Sequence, residues 1–358
     1  MERLPDPAPK YVAAFDGLRL VLLLAVLEFH YCVHSVPIRF IWFLSYALPC
    51  FFVLSGFLIT RLLLQDGNLK HFYFRRALRI FPAYYAVVLT AWAVYHIPYL
   101  GWHLTYLFNL KLFAASAAPP TAEVAAFMAH WDTNGLHLWS MGVEEQFYLL
   151  YPLFFLACPA AWRSLLLALG LAGSITFRFW ISARFPQADY GALLPVAGEY
   201  ILWGCLAAQL DRRPRAWLRS RWLGPLSLLG LLLLMLSETG LERYWLGQMT
   251  PPPRQSLYAL CLTGFILWLA HHPLGWLSWK PLTRLGKISY GTYLVHPFLN
   301  PLVDSILQIC PWLAPSASAP RALLGPCLSL LVAGLLWVSF EGRLNRWRLK
   351  TPSGSPQG

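Results

Sequence analysis

Charge is scarce in this sequence. Only 12% of its 358 residues are Asp, Glu, Lys or Arg, against about 25% in an ordinary soluble domain. With 58% hydrophobic residues, there is too little polar surface to enclose a single water-soluble core. Cysteine pairs at metal-ligand spacing are lacking too. The seven cysteines are scattered, and Cys50, Cys158, Cys205, Cys261 and Cys327 lie within apolar runs. They read as small packing residues, not as a disulfide frame or zinc site, and no metal is expected. No cleavable signal peptide opens the chain, so the first apolar segment reads as a retained helix. No internal repeat is evident, which weakens a transporter reading. The net charge of +12 has no basic–aromatic stripe with it, so nucleic acid is not an expected partner.

What is present is a series of long apolar segments. About 20 helical residues cross the hydrocarbon of a bilayer, and about ten such crossings are expected. They are Val12–Val33, Ile41–Leu63, Leu78–Ile97, His137–Cys158, Ser164–Ala183, Leu193–Leu210, Trp222–Leu236, Leu257–His271, Ile288–Ile306 and Arg321–Phe340. The fold class is therefore all-α, a polytopic membrane helix bundle. A further piece, His103–Ala115, is short for a crossing and reads as interfacial or re-entrant.

Basic residues collect in cytoplasmic loops, and one orientation satisfies nearly every loop. With both termini cytoplasmic, the inner side holds Lys70, Arg75, Arg76 and Arg79, then Arg163, and Arg212, Arg213, Arg215, Arg219 and Arg221. Lys280, Arg284 and Lys287 follow, then Arg343, Arg346, Arg348 and Lys350. The opposite loops hold Glu123, Asp132, Asp189, Glu238 and Glu242. Residues 1–350 form one membrane domain, and 351–358 read as a short disordered tail.

Ionisable groups inside a span are costly and mark functional sites. At about 100° per residue, Asp16, Arg19 and His30 share an arc of about 60° on the first helix, with Arg19 and His30 about 16 Å apart along the axis. A structural Asp–Arg pair with a packing histidine is the plainer alternative. In the fourth span, His137, Ser140, Glu144 and Tyr148 share a face that Glu145 leaves. Arg76 and Arg79, at i and i+3, can converge on one anion; as a lone motif they would be an ordinary positive-inside flank. Glu199 lies inside a span with no account from sequence.

These segments together resemble acyltransferase family 3, membrane-bound acyltransferases acting on envelope polysaccharides and some secondary metabolites. The matching pieces are Phe15-Asp-Gly-Leu-Arg19 with His30, Phe51-Phe-Val-Leu-Ser-Gly-Phe-Leu-Ile59, Arg75-Arg-Ala-Leu-Arg-Ile-Phe-Pro82, Leu138-Trp-Ser-Met-Gly-Val-Glu-Glu-Gln-Phe-Tyr148 and Ile288-Ser-Tyr-Gly-Thr-Tyr-Leu-Val-His-Pro297. They occur in the family's order along nearly the whole chain. The resemblance implies ten helices. It maps the family's arginine–histidine pair onto Arg19 and His30, its Arg-x-x-Arg onto Arg76 and Arg79, and its acidic residue onto Glu144. One departure is Gly342 after Glu341, where the family often has proline. The hydrolase-like extracytoplasmic domain of many relatives is not expected here, so a step done by it would be missing or supplied by a partner.

The implied chemistry is O-acyl transfer, with acetyl as the expected group, from acyl-CoA on the cytoplasmic side to a sugar-type hydroxyl. Acyl-CoA is a co-substrate, no cofactor is tightly bound, and membrane lipids surround the chain in a bacterial inner membrane. Arg19, Arg76 and Arg79 would hold the donor. His30 would act as general base with Glu144 orienting it; an acyl-histidine route stays open. Asp16, Ser140, Trp139, Tyr148, Tyr290 and His296 would support the site, with Ser289–Tyr290 and Trp139–Ser140 as candidate oxyanion donors. His296-Pro297 reads either as polar lining or as a helix element at cytoplasmic-to-middle depth. The rival reading from another class is a transporter or flippase, with Asp16, Arg19, His30 and Glu199 coupling substrate or protons. A catalytically silent membrane sensor is the third.

Overall fold

A computed structural model describes residues 11–32, 44, 46–119, 121–212, 215–237, 252–309 and 318–342. The expected inner basics Arg213, Arg343, Arg346, Arg348 and Lys350, the outer Glu238 and Glu242, and the tail 351–358 lie outside the described residues. So do the side chains of Glu123 and Glu341.

Helices account for the architecture, and there is no strand among the described residues. In chain order they are α1 (Ala13–Cys32), α2 (Ala47–Gln65), α3 (Leu69–Tyr95), α4 (Leu100–Leu104), α5 (Phe108–Ala117), α6 (Ala122–Ala129), α7 (Trp139–Ala157) and α8 (Arg163–Arg184). Then come α9 (Leu194–Asp211), α10 (Leu223–Leu236), α11 (Pro252–His271), α12 (Lys280–Lys287), α13 (Ser289–Val295), α14 (Asn300–Ile309) and α15 (Ser318–Leu336). Four helical stretches, 47–65, 69–95, 163–184 and 320–339, are each long and apolar enough to cross a membrane. Helix α1 has the length, but Asp16, Arg19 and Glu28 lie within it. Helix α7 likewise carries Glu144 and Glu145. Of these polar residues, Asp16, Arg19 and Glu144 recur in the candidate site.

Bilayer helices pack through small residues, because lipid offers no hydrophobic drive between them. Helices α2 and α9 show this: a Cβ on Gly56 would strike the carbonyl of Ile201, and one on Gly204 that of Val53. The two backbones therefore touch. Cys50 and Cys205 pack in the same buried core as free thiols.

The piece 103–115 does not form one rod. Tyr106 takes a left-handed φ of 57° between α4 and α5, and neither fragment can cross a membrane. Helices α4 to α6 instead form a cap with its own small core of Phe108, Leu112, Ala115, Phe127, Leu136 and Ala192. The expected span 288–306 is also broken. Pro297 has no N–H to continue the ladder, so α13 stops, a tight turn runs over Pro297–Leu299, and α14 starts anew at Asn300.

Glu199 now has an account. It is fully buried on α9 and pairs with Arg178 of α8 at 3.0 Å. Ser256 on α11 donates to Glu199 Oε1 at 2.6 Å and accepts from Arg178 Nη2 at 2.8 Å. Gln255 donates to Glu199 Oε2 at 3.3 Å and to the Val196 carbonyl at 3.0 Å. The group joins three helices. Removing one member of a buried pair strands the other at a cost of about 3–5 kcal/mol, whereas replacing both with apolar residues is near neutral. Glu199→Ala is therefore expected to lower the melting temperature of the detergent-solubilised protein sharply. Arg178→Leu combined with Glu199→Leu should recover most of that loss.

Candidate active site

The break at Pro297 exposes carbonyls that a continuous helix would cover, and in a bilayer each needs a partner. A residue at 297 with an N–H would have donated to the Tyr293 carbonyl. With proline there, His296 Nδ1 takes that carbonyl at 2.7 Å. His137 Nε2 takes the Leu294 carbonyl at 3.2 Å. Tyr31 donates to the carbonyl of His296 at 2.6 Å, and Tyr95 to that of Phe298 at 2.6 Å. Side chains from α1, α3 and the turn before α7 thus close on one broken helix.

This pattern fixes the histidine tautomers by elimination. A carbonyl only accepts, so His296 carries its proton on Nδ1 and presents a lone pair at Nε2. His30 Nδ1 lies 2.8 Å from that Nε2, so it must be the donor. His30 is then left with the lone pair on its own Nε2. This contact sets the two imidazoles edge to edge with ring centres 5.0 Å apart, and Trp131 of the cap stacks on His30, also at 5.0 Å. His137 lies 5.3 Å from His296 ring to ring, and its Nδ1 is buried without a hydrogen-bond partner.

The polar seam continues along α7. Tyr293 donates to the His137 carbonyl at 2.8 Å, and its hydroxyl meets Ser140 at 2.7 Å. One turn on, Glu144 lies in the electrostatic field of Arg76 and Arg79, close to Tyr148 and Ser55. Tyr148 and Ser55 are themselves hydrogen-bonded. The Arg76 guanidinium lies flat over the Tyr148 ring, 3.5 Å from its centre, a cation–π contact that fixes its plane. Its Nε is buried and unpartnered. Arg76 is therefore built into the bundle rather than standing as a flank at its rim. Gly142 and Gln146 hold the next face of α7: Gln146 donates to the Tyr106 carbonyl at 2.8 Å and to Asn109 at 2.7 Å.

The hydrogen-bond partner of His30 is His296, which stands at the same depth, while Glu144 lies in the field of the arginines. Of the candidate oxyanion donors, Tyr290 spends its proton on the Ile80 carbonyl at 3.0 Å, and Ser140 is bound within the seam. Trp139 packs edge-on to Phe52 at 6.2 Å.

Asp16 and Arg19 form an ion pair at 2.7 Å, and Tyr11, just outside the span, also donates to Asp16. Burial and that hydrogen bond push the Tyr11 phenol up to about 12, so it keeps its proton. The backbone of Asp16 lies against α12, where a Cβ on Gly286 would meet its carbonyl. Sequence reasoning left His137 without a specific role and passed over Arg178. The signal for Arg178 was a lone cation in an otherwise apolar run.

The seam runs from a histidine pair at one end to Glu144 with Arg76 and Arg79 at the other, within the helices of an integral membrane protein. Residues 12–345 match the family model described as an acyltransferase domain, and the chain belongs to acyltransferase family 3. It is 28% identical to a protein named peptidoglycan O-acetyltransferase OatA from Listeria monocytogenes, over 86% of this chain and 52% of that protein. It is 27% identical to O-acetyltransferase OatA of Staphylococcus aureus, over 81% of this chain and 50% of that protein. The chain thus spans about half the length of the curated relatives it matches. No solved structure matches it.

If His296 sets the tautomer of His30, His296→Ala should lower turnover about a hundredfold, since loss of the orienting partner misplaces the base. Gln can accept from His30 and donate to Tyr293, so His296→Gln should stay within about tenfold of the parent protein. Steady-state kinetics of the two variants at matched folded fractions checks this.

Proposed function

We propose that this protein is an O-acetyltransferase that moves an acetyl group from acetyl-CoA to a hydroxyl of a peptidoglycan-type glycan. The observation that carries the reading is the His30–His296 pair, in which hydrogen bonding leaves a basic nitrogen on His30 beside the cap. In the proposed step, His30 Nε2 takes the proton of the acceptor hydroxyl, and the oxygen attacks the thioester carbonyl. The imidazolium formed is stabilised by His296. Collapse of the tetrahedral species breaks the C–S bond, and the thiolate leaves with the proton from His30. The acetyl acceptor is drawn from the names of the relatives, and the donor from the family resemblance together with the arginine cluster.

Arg76 and Arg79, with Glu144 balancing their charge, make the donor end. Arg19, bound to Asp16, would widen the electropositive mouth. Ten crossings in the inner membrane, with both termini cytoplasmic, place the donor end inward. The basic residues Arg163, Arg215, Arg219, Arg221, Lys280 and Arg284, in loops that alternation puts at one end, support this orientation. Glu199 and Asp16, which a transporter would need free for coupling, are each held in an ion pair.

General acid–base catalysis contributes about 100- to 10,000-fold. His30→Ala should therefore reduce acetyl transfer by that factor while the protein still elutes as a folded species; near-parental turnover would remove His30 from the role of base. Arg76→Ala with Arg79→Ala should raise the KM for acetyl-CoA at least tenfold and leave acceptor KM alone. Unchanged acetyl-CoA affinity in that double variant would contradict the donor assignment.

A further inference from the structure

The turn leaving α3 is strained where no glycine relieves it. His96 and Tyr99 take left-handed φ values of 54° and 59°, a conformation that persists in ordinary residues when the surroundings over-determine it, often at ligand clamps. At Tyr99 the strained backbone brings the phenol ring beneath Lys111, whose Nζ lies 4.1 Å from the ring centre. Next to them is a cavity of ≈ 220 Å³ lined by Tyr99, Lys111, Phe127, Ala114, Ala115 and Ala118 among others. At ~30 Å³ per water that is the space of about seven waters, room for a single sugar ring.

The lining narrows the occupant. Two aromatic rings and a wall of alanines offer flat apolar faces, which suit the C–H face of a sugar. Among the described residues of the lining, Lys111 is the only charged group. A hydrocarbon chain would desolvate that ammonium without offering it a counter-charge. A bare phosphate would use several converging donors, where one is present. The cavity also connects to the site. Ala115 and Phe127 belong to the cap core against which Trp131 packs, and Trp131 is stacked on His30.

Building on the acetyl-transfer reading above, we propose that this cavity is an acceptor subsite for a carboxylate-bearing sugar unit neighbouring the one that is acetylated. The ring lies on Tyr99 and Phe127, and the carboxylate pairs with Lys111.

The test uses the full chain in lipid nanodiscs with acetyl-CoA. The two acceptors are a peptidoglycan disaccharide with its free lactyl carboxylate and the same disaccharide as its methyl ester. The parent protein should show about a tenfold lower KM for the acid than for the ester. Lys111→Gln should erase that preference by raising KM for the acid alone, with kcat and the KM for acetyl-CoA unchanged. Lys111→Arg should keep the preference, and ester kinetics in each variant report on folding. Equal KM values for acid and ester in the parent protein would overturn the subsite while leaving acetyl transfer standing. So would a Lys111→Gln protein impaired equally on both acceptors, or on neither. Transfer to neither acceptor by the parent protein would remove the acetyl-transfer reading and the subsite with it.

Discussion

Pro297 withholds one N–H, and the organisation around His30 depends on that missing donor. An unbroken helix would cover the Tyr293 carbonyl with its own backbone. The proline leaves that oxygen for the imidazole of His296, and the choice propagates. His296 must turn a lone pair toward His30, and His30 must then donate from Nδ1. A backbone defect thereby sets the protonation pattern of two side chains without any nearby charge. In a bilayer this is an economical way to orient a base, because a carboxylate in the same place would need its own desolvation offset.

The bundle treats its true charges differently. Arg178 and Glu199 are matched with neutral donors from a third helix, and that cluster ties α8, α9 and α11 together. Asp16 and Arg19 neutralise one another within a single turn, while the backbone beside them is pressed against α12. Arg76 keeps a buried, unpartnered Nε over the Tyr148 ring, and Arg178 likewise keeps a buried Nη1 without a hydrogen-bond partner.

Much of this was legible in the residues. The shared face of Ser140, Glu144 and Tyr148 follows from helical spacing, and the structure uses each of them along one seam. The shortness of 103–115 excluded a crossing, and Tyr106 supplies the reason. What failed was pairing across the chain. His30 and His296 are separated by 266 positions, and periodicity on either helix says nothing about which distant helix it faces. Assigning Glu144 to His30 was an inference from chemical type, since acids often orient histidines. The backbone carbonyl that does so here was visible in sequence only as a proline after a histidine. Arg178 was missed because a single cation in an apolar run has no partner until the fold supplies one.

The two ends of the seam differ in kind, and the difference bears on how a reaction could be kept directional. Near Glu144 the two arginines are permanently charged, and Arg76 is held over the Tyr148 ring, which on the proposed mechanism suits a multiply anionic donor. Around His30 the neighbours are the ring face of Trp131 and the hydrogen-bonded edge of His296. Such a surface discriminates by shape, and only a group that brings its hydroxyl to His30 Nε2 gains from the base. On the proposed mechanism, donor affinity and acceptor choice are therefore separable properties, built on α3 and α7 in one case and on the cap with α1 and α13 in the other. On the same mechanism, water reaching that nitrogen would consume the donor, and the aromatic packing over His30 would keep it out.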